Sequence, residues 1–362
     1  MRLQLRRGTV VAEDPLAVEV GGERRPAWAD TALLGEMREG DEVVVNVAAV
    51  ELGLGSGGFD VVHANLTRGL EEGPPGPGGG GQPHVMKLNY TSIQHPVEPV
   101  EAHEDCDADW RVTPVMEEES TKPASVLVLP MHGHLAPAAW ALAQAGAEGR
   151  PTPRVGYVQT AGGALPGPLS RDVAELRERG LLAGHVTAAP AYGGEREAIS
   201  VAGALDAARQ LGWEAALVGP GPGIIGSDSA FGHGGMAALD SAHAALALGL
   251  PTMLSPRLSS ADPRERHLGV SHHTRIVLDL LLAPLDVAVP DGEERIAAAL
   301  RDVPGKHRLR PAAADLNGYA ASGLPRRTMG RDLEEDPLFF AAPLAAGAAL
   351  ADAAGGALRR KG

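Results

Sequence analysis

Histidines are the residues of this 362-residue chain whose positions most suggest chemistry. His132 and His134 lie two residues apart at the end of an apolar run. His233 lies in a glycine-rich segment, and His272 opens a pair of histidines. Imidazole titrates close to neutral pH, so such residues serve as general acids, general bases or metal ligands. These four histidines are therefore our candidate catalytic residues.

A metal site is one use for these side chains. If the extended conformation continues past the apolar run, His132 and His134 point to the same face and can ligate one divalent ion. Zinc or manganese would accept two or three imidazoles together with a carboxylate. The side chains of neighbouring loops that could join them are Asp228, His233, Asp262, His267, His272 and His273. The chain lacks a His-Glu-x-x-His pattern, however, and isolated histidines also bind substrate or cap carbonyl groups.

Glycine-rich segments near these histidines could hold an anion. Residues 221–226 match the dinucleotide pattern G-x-G-x-x-G, although Pro222 removes an amide and a serine-rich run follows where a helix should begin. Arg257, after the next apolar run, stands where dinucleotide enzymes select the ribose or its phosphate. A looser interpretation is an anion held by amides at a helix start. Turn geometry alone also accounts for glycine at such positions. The candidate ligand-binding residues in these segments are Thr160, Gly162, Gly163, Gly221, Gly223, Gly226, Gly234 and Gly235.

Arg264 and Arg266 add positive charge close to the histidine pair. Arginine binds carboxylates and phosphates through paired N–H groups, so both are candidate substrate-binding residues. A solvated surface with salt bridges is the alternative interpretation. Asp262 and Pro263 predict the start of a helix, with aspartate as the cap and proline in the first turn. The cofactor stays open between a divalent metal ion, a nucleotide and none.

The elements that would position these residues follow from the hydrophobic pattern. From residue 125 to about residue 311, apolar runs alternate with alanine-rich helical stretches, which is typical of a parallel sheet covered on both faces. We predict a doubly wound, three-layer, Rossmann-like α/β domain over residues 124–311. Ligands bind at the carboxyl ends of strands in such sheets. The histidine and glycine segments follow these runs, so we expect them to meet in one cleft.

The flanking segments have different patterns. Residues 1–70 contain short β-branched runs between glycine-rich turns, which predicts a small antiparallel β-barrel-like domain. Residues 71–123 are predicted to be a Gly/Pro-rich linker and an acidic connection. Residues 312–362 are predicted to be a C-terminal helical tail, with Asp336 as the cap of its main helix.

Composition narrows the class of protein. A net charge of −14 with only 3% aromatic residues argues against nucleic-acid binding, which requires basic and stacking side chains. The apolar stretch at residues 337–351 is mostly alanine and is shorter than the roughly 20 strongly apolar residues of a membrane span. The N-terminus has no apolar signal core, and Cys106 is the single cysteine. We expect a cytoplasmic protein with a small-molecule ligand, without nucleic-acid or membrane partners, and compatible with a homodimer.

Several motifs resemble those of one bacterial family. The motifs are Arg6-Arg7-Gly8-Thr9-Val10, Leu52-Gly53-Leu54-Gly55-Ser56-Gly57-Gly58, Gly162-Gly163-Ala164-Leu165-Pro166, Ala261-Asp262-Pro263-Arg264-Glu265-Arg266-His267, Ser271-His272-His273, Thr328-Met329-Gly330-Arg331 and Glu335-Asp336-Pro337. The chain resembles the family labelled domain of unknown function 3866 over almost its whole length. The resemblance implies no activity, cofactor or catalytic residue, so function has to be argued from the residues.

The candidate residues favour an enzyme that acts on a small anionic or phosphorylated substrate at the strand-end loops. A non-enzymatic module that senses a metabolite or binds a partner is the alternative. An enzyme should bring at least two of the histidines and a carboxylate or arginine to within reach of one point. A sensor would more often have scattered titratable groups around a glycine-lined cleft.

Overall fold

The structure is a computed structural model that describes residues 2–54, 57–70, 85–101, 124–147, 152–227 and 229–359. The chain divides into two compact units, Met1–Val97 and Glu98–Gly362. Residues 71–84 of the predicted linker and residues 102–123 of the acidic connection lie outside the described residues, as do Cys106 and Asp228. The four-part division of the chain stays a prediction.

The first unit is built on a closed barrel, as predicted. The strands of this barrel are β1 (Leu5–Glu13), β2 (Leu16–Val20), β3 (Glu23–Trp28), β4 (Glu42–Asn46) and β5 (Asp60–Asn65). They pair in the order β1-β2-β3-β5-β4, antiparallel except for β3 with β5. Alternate valines such as Val43 and Val45 are fully buried inside it, because side chains along a strand alternate between its two faces. The unit also contains α1 (Thr31–Leu34), α2 (Ala48–Glu51), β6 (Val85–Lys87) and β7 (His95–Val97).

The second unit contains an all-parallel sheet, which confirms the predicted α/β class. The strands of the sheet are β8 (Ser125–Val128), β9 (Val155–Thr160), β10 (Gly184–Ala188), β11 (Arg196–Ala198), β12 (Ala215–Pro220), β13 (Thr252–Leu254), β16 (Asp286–Pro290) and β17 (Arg308–Ala312). They lie in the order β11-β10-β9-β12-β8-β13-β16-β17. Every residue of β8, β9, β10 and β12 is buried, which explains their continuous apolar sequences. Two short antiparallel pairs lie outside the sheet, β14 (Leu258–Ser259) with β15 (Gly269–Val270) and β18 (Arg327–Thr328) with β19 (Arg331–Asp332).

Helices cover both faces of the sheet and complete the three layers. The helices of one face are α3 (Leu135–Ala147), α4 (Arg171–Glu178), α9 (Leu316–Ala321) and α10 (Pro337–Arg359). The helices of the other face are α5 (Val201–Gln210), α6 (Ala237–Ala247), α7 (His272–Leu280) and α8 (Glu294–Arg301). Within the predicted tail, α10 is a core helix, because Phe339 and Leu344 are buried against α3 and the sheet. Among the described residues, the structure contains no helix long and apolar enough to cross a membrane.

One of the two predicted helix starts needs correction. Residues 265–267 form a single 3-10 turn, with the Asp262 carboxylate accepting from the amide of Arg264, and α7 begins only at His272 behind the cap Ser271. The pairing of β14 with β15 and the left-handed φ of +63° at Gly269 prevent an earlier helix. The start predicted for the C-terminal helix is confirmed, because α10 begins at Pro337 and the Asp336 carbonyl accepts from the amide of Phe339. The Asp336 carboxylate accepts from Ser259 and Ser260 instead of from the helix.

Candidate functional site at the carboxyl edge of the sheet

Four loops that carry predicted site residues leave the same edge of the sheet. They follow β8, β9, β12 and β13, which are neighbours in the order β9-β12-β8-β13. Parallel strands present their carboxyl ends together, so these loops share one rim. They also contact one another: the ring of His132 reaches the carbonyl of Pro220, and His134 reaches Ser255.

Four imidazoles come into mutual contact between the loops that follow β12 and β13. We call His233, His267, His272 and His273 the histidine cluster. The rings of His233 and His273 stack with centroids 3.5 Å apart, and the His272 ring lies 4.3 Å from that of His273. The His267 ring is 4.7 Å from that of His272 and 4.9 Å from that of His273. His272 is partly exposed, whereas the other three are buried.

Arg257 connects the histidine cluster to a network of buried ions. Its Nη1 donates to Nδ1 of His273 over 3.0 Å, and its Nη2 lies 3.4 Å from Oδ2 of Asp262. Asp262 is 2% exposed and also accepts two hydrogen bonds of 2.9 Å from Arg264. A buried carboxylate needs such partners, because desolvation of an unpaired charge is expensive.

The network extends into the short hairpin of β18 and β19. Arg331 lies 3.5 Å from Asp262 and donates to Asp336 over 3.1 Å. Asp336 is fully buried and accepts further bonds from Ser259 and from the amide of Ser260. Among the described residues, the guanidinium groups of Arg257, Arg264 and Arg331 thus share the carboxylates of Asp262 and Asp336.

The surroundings keep the imidazoles neutral. Burial and, to a smaller extent, the charge of Arg257 lower the pKa of His267 to about 3 and that of His273 to about 2. Burial also lowers the pKa of His233 and of His272. Each ring is therefore uncharged at pH 7 and keeps one nitrogen lone pair of the kind that binds a metal, although that of His273 accepts from Arg257. Burial of Arg257 itself lowers its pKa to about 10, which leaves it charged.

His134 lies beneath this site in the core. Its Nδ1 is 2.9 Å from the Ser255 hydroxyl, and its ring meets the edge of Phe339 at 5.0 Å. The side chain is fully buried, and its Nε2 has no hydrogen-bond partner among the described residues. Burial, followed by the charge of Arg257, lowers the pKa of His134 to about 3.

His132 faces the opposite direction, toward α4. Its Nδ1 donates to the carbonyl of Pro220 over 3.2 Å, and its Nε2 accepts from the Ser170 hydroxyl over 2.8 Å. The extended conformation assumed for the pair is not kept, because His132–His134 form a 3-10 turn. The two imidazoles therefore bond to different strand ends, and nothing in this geometry supports them as joint metal ligands.

The glycine loops are packed closely against each other. A Cβ on Gly162 would lie 2.3 Å from the carbonyl oxygen of Gly234, and one on Gly163 would lie 2.1 Å from that of Gly221. Close backbone approach thus accounts for these glycines without a ligand. Thr160 is buried, and its hydroxyl donates a hydrogen bond to the carbonyl of Ala161.

The dinucleotide pattern lacks the structural context that it requires. A helix should open at the third glycine, Gly226, whereas α6 begins only at Ala237. Gly223 has a left-handed φ of +67° in a turn. The amide of Gly234 donates to Ile225, so it is not free for an anion. Gly235 adjoins the imidazole of His233, since a Cβ there would lie 3.0 Å from its Nδ1, whereas Gly226 adjoins the Cβ of His233 at 3.5 Å.

The predicted substrate-binding arginines lie at the solvent side of the histidine cluster. The side chain of Arg264 is 48% exposed, and Arg266 is exposed. The carbonyl of Arg266 lies 3.4 Å from Nδ1 of His272. The structure therefore brings together two of the four candidate catalytic histidines, His233 and His272, with both arginines.

Sequence reasoning missed the contribution of the C-terminal segment. Arg331 and Asp336 belong to motifs that carried the family resemblance, but no chemistry was assigned to them. A charged pair inside a family-specific motif was the available signal. Asp262, which pairs with Arg331, lies 69 residues before it, so only the folded chain shows the connection.

A family model described as "Protein of unknown function (DUF3866)" matches residues 26–347, nearly the whole chain. The chain belongs to this family. The match includes the whole parallel sheet and every residue of the histidine cluster and its ion network. No curated protein and no solved structure matches the chain.

Proposed function

We propose that this DUF3866 protein is an enzyme that acts on a small anionic, phosphorylated substrate at the histidine cluster. The observation that carries the proposal is the placement of four neutral imidazoles beside three arginines, Arg257, Arg264 and Arg331, whose guanidinium groups meet at Asp262. Positive charge attracts an anion, and neutral imidazoles supply reactive lone pairs next to it. The carboxyl edge of a parallel sheet is also where ligands bind.

The roles of the residues follow from their exposure. Arg264 and Arg266 face solvent and can contact the anionic group of the substrate. His272 is the partly exposed member of the histidine cluster, so its ring can reach a reacting group. Asp262 is buried and acts on the substrate only through Arg264, which it orients by two hydrogen bonds.

Phosphate binding tests the first half of the proposal. Inorganic phosphate, titrated into the full chain at constant ionic strength, should bind, and Arg264→Gln should weaken binding about tenfold, the worth of a charged hydrogen bond. Arg310→Gln is the matched control, because Arg310 is equally exposed and forms an ion pair with Asp286 outside the site. Equal phosphate affinity in the two variants would contradict the proposed site.

Turnover tests the second half. The wild-type chain should hydrolyse or transfer the phosphoryl group of at least one small phosphate ester, and His272→Ala should abolish that turnover. His63→Ala is the control, since His63 is a half-buried histidine on β5. Phosphate binding without turnover across a broad ester panel would favour the metabolite-sensing module over the enzyme.

A further inference from the structure

Three members of the histidine cluster present ring nitrogens that lie within 4.8 Å of one another, those of His233, His272 and His273. His233 follows β12, whereas the other two form the first turn of α7. Three imidazoles with an open fourth position are the ligand set of a catalytic zinc site. We infer that these three histidines bind a divalent transition-metal ion of the Zn²⁺ type. The inference rests on the proposed function for the role of the ion, but binding can be measured independently.

The buried ring of His233 points independently to a ligand. Its side chain is 6% exposed, and neither ring nitrogen reaches hydrogen-bond geometry with a described residue, although the backbone of Ala230 lies close enough to act on the pKa of the ring. An unsatisfied buried polar atom costs about 1–3 kcal/mol, so such atoms are rare in folded proteins. Coordination to a metal ion would satisfy one of these nitrogens.

Gly235 keeps space open beside the ligand atoms. A Cβ at this position would lie 3.0 Å from Nδ1 of His233 and 3.5 Å from Nδ1 of His273. Any larger side chain would therefore fill the space next to both nitrogens. Turn geometry does not explain the glycine at this position, because the backbone of Gly235 is not in the left-handed region.

Binding of the ion requires two local changes. The rings of His233 and His273 are stacked within 8° of parallel, so one ring must turn before both can direct lone pairs to one ion. His233 is the ring that can turn, because the backbone of Ala230 beside it does not reach hydrogen-bond geometry with either ring nitrogen. At His273 the ion replaces the guanidinium of Arg257, which occupies the Nδ1 lone pair in the metal-free chain.

The charge of the network couples the ion to the anion. A divalent cation adds positive charge next to the guanidinium groups of Arg257, Arg264 and Arg331. A phosphate at the open coordination position would offset this charge. Phosphate should therefore tighten metal binding, and by linkage the metal should tighten phosphate binding by the same factor.

Metal titration of the full-length protein is the test. After removal of metal with a chelator, the wild-type chain should take up about one equivalent of Zn²⁺, and bound Co²⁺ should give the visible absorption bands of a tetrahedral site. His233→Ala and His272→Ala should weaken Zn²⁺ binding by more than about 100-fold. His63→Ala should leave uptake unchanged, which separates this site from nonspecific binding to histidines elsewhere.

Either of two results would overturn the inference: no uptake by the wild-type chain, or unchanged uptake in both variants. His272→Ala keeps the test decisive if His233→Ala fails to fold, because His272 is partly exposed at the first position of α7, where alanine is favourable. Phosphate binding without metal uptake would reject the metal site alone. Metal uptake without phosphate binding would reject the proposed function alone.

Discussion

Arg257 links the ion network to the histidine cluster through hydrogen bonds. It is 3% exposed and donates both to His273 and to Asp262. Such a buried cation is tolerated only with partners, and here it holds one imidazole in a single tautomer. Its charge also disfavours protonation of His267 and His273, so the same residue positions the rings and keeps them neutral.

Asp336 is predicted to be the most sensitive single residue of the ion network. Asp336→Asn removes a fully buried charge that Arg331 and the amide of Ser260 both require, and places an NH₂ group where donors already point. We expect the free energy of unfolding to fall by about 3 kcal/mol, as when a buried ion pair loses one partner. Urea denaturation measures this change.

Glu334→Gln is the control for this variant. Glu334 pairs with Arg326 over 3.2 Å, but both side chains are more than half exposed. Solvent screens such a pair, so the loss should be below about 1 kcal/mol. Similar losses in the two variants would show that burial does not determine the strength of the Arg331–Asp336 contact.

At the scale of elements, strands β9 and β10 both pack closely against Trp213. Gly156 in β9 and Gly184 in β10 both face Trp213, which is 5% exposed. A Cβ on Gly156 would lie 2.0 Å from the indole ring, and one on Gly184 would lie 2.9 Å from it. Glycine inside a strand often marks such a close approach.

Gly156→Ala should therefore strain the sheet. The added methyl group forces the indole of Trp213 or the backbone of β9 to move, and overpacking of this kind costs about 1–3 kcal/mol. We expect a loss near the upper end of that range, measured as a fall in the midpoint of chemical denaturation. Gly226→Ala, whose Cβ would meet only ordinary contacts at 3.5 Å, should cost less than about 1 kcal/mol. The interpretation fails if the two alanines have equal effects.

At the scale of the whole molecule, buried neutral histidines make stability depend on pH. Burial lowers the pKa of His134 to about 3 and that of His185 to about 4 in the folded chain. Below about pH 6.5 the unfolded chain binds protons at these positions, whereas the folded chain does not until its lower pKa is reached. The free energy of unfolding should therefore be highest above pH 6.5 and fall as the pH decreases toward 4.

Chemical denaturation of the metal-free protein at pH 7.5, 6.5 and 5.5 tests this dependence. Each of the two histidines should contribute about 1 kcal/mol of destabilisation at pH 5.5. His185→Gln should reduce the dependence on pH. A free energy of unfolding that stays constant from pH 7.5 to 5.5 would contradict buried, neutral histidines in the folded chain.

The sequence alone determined the elements and the edge at which the candidate residues lie. Continuous apolar runs predict strands buried on both faces, and the residues that follow such runs must leave the carboxyl edge. Hence the barrel, the three layers and the common rim of the strand-end loops could all be predicted. These features depend on the local hydrophobic pattern, which residues close together in the sequence determine.

The tertiary structure alone decided which side chains meet. His233 and His273 are 40 residues apart, and they touch because β12 and β13 lie on either side of β8. His132 and His134 follow β8 between them, yet a 3-10 turn directs the two rings to different neighbours. Strand order and turn conformation are set by packing between distant segments, which leaves no periodic signal in the sequence. The same reason explains why the contacts of Arg331 and Asp336 with Asp262 and Ser259 emerged only in the folded chain.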